Sequence, residues 1–522
     1  MTMLYPARQI FAYAILSTFL VFVLFYGFAD SLSKMDLMGS RKSWGMFDTL
    51  EIQKAKICRN LTILSTANLF DTDDPSKRVL IVGDVHGMMT SLEKLLKRVK
   101  YSPLQDVLLH VGDIVSKGSL NGSLAVLQFM ASNNIAGVRG NHDQLVIEWK
   151  NWYKWVSTCP GGKEWLDRLQ AQWEKAQASD PDVELETWLR KQKKASTRKD
   201  KFWWKLIPNS WIILDDHYSI AKDMTDLHFQ YLLDLPLRLY IPSAHTFIVH
   251  AGLLPSDPRY PVDDKARQPL ARMPILTRQS ADNHSSINET LSEDGNVNST
   301  SIVSNKTIEA LRNLQETGIL TQIPQNTDPW VVLNMRSVLG NGKISKKPSG
   351  GMPWSTMWKQ HMESCNGYKR ELSARQDTDD VDDVADDPTP NDADSLGIKK
   401  YNLLCYPSTT VYGHAAGRRL DMKRWSFGLD SGCIYGRKLS ALVIKGQSKS
   451  SRDISSIQDG IKLRIDEDSN EPENSDDDDE DEDDDEVDQP GNVTVSKNKN
   501  KNTWLPFGDS HRAKVITVRC HA

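Results

Sequence analysis

The stretch Arg78-Val-Leu-Ile-Val-Gly-Asp-Val-His-Gly87 decides the fold. Four aliphatic residues stop abruptly at a glycine, and two metal-ligand types follow within four positions. An apolar run this short, without polar alternation, reads as a strand buried on both faces, although periodicity alone leaves a short buried helix segment open. Glycine directly after it permits a sharp turn. The same grammar recurs along the chain. Val107-Leu-Leu-His-Val111 runs into Gly-Asp-Ile-Val-Ser-Lys-Gly118, and Thr246-Phe-Ile-Val249 runs into His250-Ala-Gly252. Gly140-Asn-His-Asp143 and Tyr412-Gly-His414 complete the set. In α/β sheets ligands bind in the crevice beyond the carboxyl ends of the strands, so turns placed there let ligands from distant segments converge.

Together the five motifs supply Asp84, His86, Asp113, Asn141, His142, His250 and His414. Taken singly, a strand-end Asp is usually a turn former and a lone His a satisfied surface or core residue. Jointly they form the donor inventory for two adjacent divalent ions. The oxygen and nitrogen donors, without thiolate, suit Zn, Mn, Fe or Co rather than a structural cysteine-type zinc site. Asp113 is the natural bridge, since one carboxylate can hold two cations about 3.5–4 Å apart. Asp84, His86 and Asp113 are assigned to one ion; Asp113, Asn141, His250 and His414 to the other. His142 does not fit as a ligand beside Asn141 and is placed as the general acid for a leaving oxygen. Arg139 and Lys117 flank the motifs and are expected to clamp phosphoryl oxygens.

This order of motifs resembles the calcineurin-like metallophosphoesterases, and within them the branch of Ser/Thr protein phosphatases, diadenosine tetraphosphatases and ApaH-like proteins. The single Gly413-His414 and the later Gly428-Leu-Asp-Ser-Gly-Cys-Ile-Tyr-Gly436 carry that narrower likeness. It covers roughly residues 77–446. The Lys-Gly of the second motif and the apolar N-terminus are similar to the fungal zinc-dependent vacuolar endopolyphosphatases. The resemblance implies an α/β fold of two mixed β-sheets packed face to face with flanking helices, a four-layer sandwich, and two divalent metal ions. It also implies that Arg336, within Asn334-Met-Arg-Ser337, is a second phosphate ligand. One departure stands out. Ser/Thr protein phosphatases carry Asp-Arg where this chain has Ser116-Lys117; there the Asp partners the catalytic His and the Arg binds phosphate. Ser116 cannot be an ionic partner for His142.

Residues 10–29 hold neither charge nor proline and suffice to span a bilayer as one N-terminal transmembrane helix. Gly27-Phe-Ala29 also offers a cut site for a signal peptide, but the apolar stretch is long for one, which favours an uncleaved anchor. The positive charges lean weakly toward a cytosolic C-terminal part, Arg8 before the span against Lys34, Arg41 and Lys42 after it. Against that stand sequons at Asn60, Asn121, Asn283, Asn288, Asn298, Asn305 and Asn492, four of them crowded into a polar stretch at 283–307. The expectation is a catalytic domain on the lumenal side, glycosylated at Asn60, Asn283, Asn288, Asn298 and Asn305. Six cysteines are too scattered for a disulfide scaffold, though a lumenal location permits one or two bridges.

The expected organisation is the anchor, a catalytic domain over 77–446 with a polar insertion near 263–325 and an acidic one near 376–396, a disordered acidic insertion over 448–503, and a closing strand within 504–522. The segment between Gln144 and Trp211 reads as a helical excursion whose Trp149, Trp152 and Trp155 form a core stripe. The acidic runs 377–394 and 466–488 hold nine and seventeen acidic residues without a basic one. Setting those 26 aside turns the formal charge from −5 to +21, so the remainder is strongly basic and suited to attract a polyanionic phosphate substrate. No specific nucleic acid partner is expected. Three functions compete: a hydrolase of phosphoanhydrides, foremost endo-cleavage of polyphosphate with dinucleoside polyphosphates as a variant; a Ser/Thr protein phosphatase; and a catalytically dead anchor, which the complete ligand set disfavours.

Overall fold

Short aliphatic runs become the strands of two sheets. The computed structural model describes residues 61–63, 77–276, 305–368, 401–445 and 504–520. Among these the strands are β1 (Leu61–Ile63), β2 (Arg78–Val82), β3 (Asp106–His110), β4 (Ala136–Gly137), β5 (Arg238–Ile241), β6 (Thr246–Val249), β7 (Ser337–Val338), β8 (Ile344–Ser345), β9 (Met352–Pro353), β10 (Thr409–Tyr412), β11 (Asp421–Lys423), β12 (Ser426–Gly428), β13 (Lys438–Lys445), β14 (Leu505–Phe507) and β15 (His511–Arg519). One sheet runs β1-β5-β6-β10-β12-β11 and the other β14-β15-β13-β2-β3-β4; β8-β7-β9 form a small third sheet. In each large sheet three neighbours are mutually parallel: β6, β10 and β12 in the first, β2, β3 and β4 in the second. The charged ends of β2 and β3 are pinned by the Arg78 guanidinium on Asp106, at 2.7 and 2.6 Å.

Strand periodicity of two explains the layers. Val79 and Ile81 of β2, Leu239 and Ile241 of β5, Ile248 of β6, Val411 of β10, Phe427 of β12 and Leu442 and Ile444 of β13 form one buried cluster, so the two sheets pack face to face. Their alternates face outward. Tyr240, Phe247, Val249 and Tyr412 pack under helices carrying Ile319, Leu320, Trp354 and Trp358. On the far side of the other sheet lies α1 (Met89–Val99), which buries Leu92, Leu95 and Val99; α2 (Leu120–Ser132) packs beside it. This is the expected mixed α/β sandwich.

The Trp-rich excursion is helical: α3 (Asn141–Thr158), α4 (Gly162–Ser179), α5 (Leu185–Ala195) and α6 (Asp200–Trp204), followed by α7 (Asp216–Asp223) and α8 (Asp226–Asp234). Trp149, Trp152 and Trp155 are buried, as a core stripe requires.

Helix α9 (Asn305–Gln322) occupies the end of the segment expected to be a polar, solvent-facing insertion. Instead of standing in solvent it buries Leu311, Ile319 and Leu320, and Glu316 is buried too. Its apolar positions lie three and four apart among many polar residues, so its helical face is weaker in composition than in packing. Pro407 to Tyr412 follow in the chain much later, with β10 pairing beside β6.

No helix among the described residues is long and apolar enough to cross a membrane, and the apolar stretch 10–29 lies outside them. So do Asn60, Asn283, Asn288, Asn298, Asn492 and both acidic runs. Asn305 is the first residue of α9, and Asn121 is exposed on α2. Among the described residues there are two disulfides, Cys365–Cys405 and Cys433–Cys520, and one free thiol, Cys159. The second bridge ties the turn after β12 to the end of β15, whose residues Arg512 to Arg519 pair with β13.

Candidate metal centre

The six strands of the two parallel trios end at one place. Asp84 and His86 follow β2, Asp113 follows β3 and Asn141 follows β4; His250 follows β6, His414 follows β10 and Asp430 follows β12. Backbone bonds lock the first two turns together, with Val85 and His86 N–H donating to the Asp113 carbonyl at 3.1 and 2.9 Å. His86, Asp113 and His414 adopt left-handed backbone angles, φ 47°, 49° and 68°. Such strain in non-glycine residues persists only where surrounding structure enforces it, and it clusters at functional sites. Glycines make the room. A Cβ on Gly140 would sit 2.0 Å from Asp113 Oδ1, and one on Gly413 2.0 Å from Asp84 Oδ1.

In this crevice two groups have ligand atoms mutually within 4.8 Å: Asp84, His86 and Asp113, and Asp113, His250 and His414. Asp113 belongs to both. Asn141 joins the second, its Oδ1 lying 2.9 Å from His250 Nε2 and 3.0 Å from His414 Nδ1. His250 Nδ1 sits 3.0 Å from the Val111 carbonyl, which can only accept, so that nitrogen carries a proton. In neutral His250, Nε2 is then a bare lone pair facing Asn141 Oδ1 and, at 3.3 Å, Asp113 Oδ2. Three acceptors facing one another without a donor are reconciled by a cation. Asp84 Oδ1 and His414 Nε2, both buried, have no hydrogen-bond partner, as expected of groups built for something other than protein. The residues therefore fit two divalent ions.

The electrostatics of the bare site agree. Burial, reinforced by Asp430 and Asp113, pushes Asp84 well above the usual carboxylate range. Burial works on Asp113 in the same direction, but His250, His142 and His86 hold it well below that range. His250 is driven down by burial yet raised to about 9 by Asp113 and Asp84. A proton on His250 occupies the place a cation would take, and metal binding would displace it. Burial drives His86 and His414 below the ordinary imidazole value, which keeps them neutral as ligands must be.

His142 lies beside this centre on the first turn of α3, its N–H donating to Asp113 Oδ1 at 2.9 Å. Its ring stands edge-on to His86, with centroids 5.3 Å apart. Ser116 and Lys117 are both left-handed, φ 76° and 63°. Lys117 is exposed at the rim, its Nζ 3.3 Å from the Tyr435 hydroxyl. Arg336 donates to the His414 carbonyl at 3.2 Å, which places its guanidinium against the second ion group.

Arg139 is not at the site. Its side chain is fully buried and donates to Gln144 Oε1 and to the carbonyls of Leu233 and Leu235 at 3.0, 2.7 and 2.9 Å. Held by those carbonyls, it braces the end of α8 instead of meeting a phosphate.

Four functional positions escaped the sequence reading. Asp143 accepts from the N–H groups of Asp113, Ile114 and Gly140 at 2.9, 3.0 and 2.8 Å, clasping the β3 and β4 turns. Asp430 is buried and acts electrostatically on Asp84 and His86. Asp216 and His217, at the start of α7, reach His142 and Ser116. Asp143 and Asp430 stood inside motifs already singled out, so position within a motif was the available signal. Nothing local marks Asp216-His217.

A family model for calcineurin-like phosphoesterases matches residues 77–246. Among curated proteins, the "Serine/threonine-protein phosphatase 1" of Salmonella typhimurium is 32% identical over 96 residues, which is 18% of this chain and 44% of that protein. A symmetrical bis(5'-nucleosyl)-tetraphosphatase of Haemophilus ducreyi is 39% identical over 117 residues, 22% of this chain and 37% of the relative. The chain thus spans less than half the length of either relative. A crystal structure provisionally described as a diadenosine tetraphosphatase aligns at TM-score 0.34 and 20% identity, over 74% of this chain and 93% of that one. That score lies below the level at which a shared fold can be inferred.

Proposed function

We propose that this chain, whose residues 77–246 belong to the calcineurin-like phosphoesterase family, is a metal-dependent phosphohydrolase that cleaves phosphoanhydride bonds, with polyphosphate as its foremost substrate. The observation that carries the reading is Asp113 standing in both ion groups with His142 hydrogen-bonded beside it. When bound, two divalent ions in such a site activate water and neutralise charge on the phosphoryl group. The chain's own residues then orient and protonate. His142 is placed to give a proton to the leaving oxygen. Lys117 at the rim and Arg336 beside His414 offer positive charge to the phosphate.

The choice of a polyanionic substrate rests on charge. Outside the two acidic runs the formal charge is +21, with Lys and Arg spread over the described surface. A dinucleoside polyphosphate is the second reading, favoured by the bis(5'-nucleosyl)-tetraphosphatase relatives. A protein phosphatase ranks lower, because Ser116-Lys117 replaces Asp-Arg. We place the domain on the lumenal side of a membrane, tethered through residues 10–29; two disulfides support an oxidising compartment.

The test is to load metal-stripped protein with Zn, Mn or Co and offer long-chain polyphosphate, diadenosine tetraphosphate and a phosphopeptide. Rapid mid-chain shortening of polyphosphate is expected. Hydrolysis of the phosphopeptide alone would overturn the substrate assignment, and activity without any metal would overturn the chemistry.

A further inference from the structure

Ser116 stands where a carboxylate would have been expected to hold His142, and the fold fills the gap from elsewhere. His217 Nε2 lies 2.8 Å from His142 Nδ1 and 2.9 Å from Ser116 Oγ. The two rings are 13° from coplanar, with centroids 5.1 Å apart. That separation with so short a nitrogen contact is an in-plane hydrogen bond, edge to edge, rather than face stacking. On its other side His217 Nδ1 meets Asp216 Oδ1 at 2.8 Å and Asp215 Oδ2 at 3.3 Å. Asp216 is itself held: Ser116 Oγ donates to its Oδ2 at 2.7 Å and Lys117 N–H at 2.5 Å. Asp215 caps α7, accepting from Tyr218 N–H at 2.8 Å.

We propose that His217, braced by Asp215 and Asp216, is the positioning residue for His142 and replaces the carboxylate missing at Ser116. This rests on the phosphohydrolase reading above. The hydrogen bonds fix the direction. Both carboxylates can only accept, so His217 Nδ1 carries a proton. Against the pull of burial, the same carboxylates raise His217 to about 9, so Nε2 carries one as well at neutral pH. His217 Nε2–H then donates to His142 Nδ1, leaving neutral His142 with its single proton on Nε2. A general acid needs that proton on the nitrogen that faces its leaving oxygen. Two left-handed residues, Ser116 and Lys117, hold the loop in which the Ser116 hydroxyl and the Lys117 N–H reach Asp216.

The same three side chains, Asp215, Asp216 and His217, lie close enough to hold an ion of their own. Their existing bonds to Ser116, Lys117 and Tyr218 argue for the positioning role instead.

The experiment compares the full chain with His217→Ala and His217→Gln on two phosphate monoesters. One has a nitrophenyl leaving group, which needs little protonation; the other has an alkyl leaving group, which needs much. We expect His217→Ala to lower kcat on the alkyl ester about 10- to 100-fold, part of the contribution of a positioned general acid. The nitrophenyl ester should lose far less, with KM and bound metal unchanged. His217→Gln, whose amide can present N–H near the same point, should recover most of the alkyl rate. Equal losses on both esters, or loss of a bound ion in His217→Ala, would overturn the positioning role. Wild-type rates in His217→Ala would overturn it too while leaving the phosphohydrolase standing. A metal-loaded wild type inert on both esters and on polyphosphate would sink both.

Discussion

Asp113 shows how much one side chain can be asked to do. Its Oδ1 accepts the His142 N–H, its Oδ2 faces His250, and its own N–H is held by Asp143. Asp113→Asn keeps the shape and removes the charge that both ion groups share. We expect about a 100-fold or greater loss of kcat with lowered metal content, read by elemental analysis beside turnover. Near-normal activity would mean the bridge lies elsewhere. Gly413 tests the packing of the same centre. Its missing Cβ is the space that Asp84 Oδ1 occupies, so Gly413→Ala should displace Asp84. Metal affinity should fall about 10- to 100-fold, as for residues that support ligands; isothermal titration with Zn reads it.

Among the elements, α3 joins the site to the Trp-rich excursion. Asn141 and His142 sit on its first turn, while Trp149 two turns later packs on Trp152, Trp211 and Tyr218. Tyr218 follows His217 directly, so the Trp stripe seats α7, and through it the partner of His142. Trp149→Ala should cost about 3–5 kcal/mol and lower kcat more than KM; a denaturant midpoint equal to wild type would contradict it. On the opposite face, α9 is tied to the β5–β6 turn by His245, whose ring nitrogens face Glu316 at 3.1 Å and Glu309 at 3.4 Å. Burial lowers His245, but the two carboxylates raise it to about 9. A proton held more tightly in the folded state stabilises it. The contribution is complete below the unfolded value of about 6.5 and is lost as pH rises toward about 9. Thermal midpoints across that window should fall in the wild type and fall less in His245→Gln.

At the scale of the molecule, two sheets share one core and point three parallel strands each at one crevice. Holding that alignment depends on sheet edges far apart in sequence. Cys433 and Cys520, 87 residues apart, clamp the turn beyond Asp430 to the last strand. A loop of that size predicts about 2–5 kcal/mol from the bridge. Reduction should therefore lower the unfolding midpoint by several degrees, measured with and without dithiothreitol; an unchanged midpoint would show that the bridge adds nothing.

The ligand set was legible because buried strands, turn glycines and ligand types are local: Arg78 to Gly87 declares its strand, its turn and its donors within ten residues. Sequence also determined the Trp stripe, since helical spacing and apolar bulk leave little choice but burial. Arg139 misled because its neighbours carry chemistry while its own side chain turns into carbonyls of α8. Helix α9 was hidden by polar composition, its buried face made valuable only by the outer surface of a sheet. The partner of His142 belonged to tertiary structure alone. His217 is 75 residues away, and only α7, seated on the Trp stripe, brings its ring within hydrogen-bond reach. Local patterns fix strands and donors because backbone sterics and burial act over a few residues. A contact between distant side chains is fixed only when packing sets the distance.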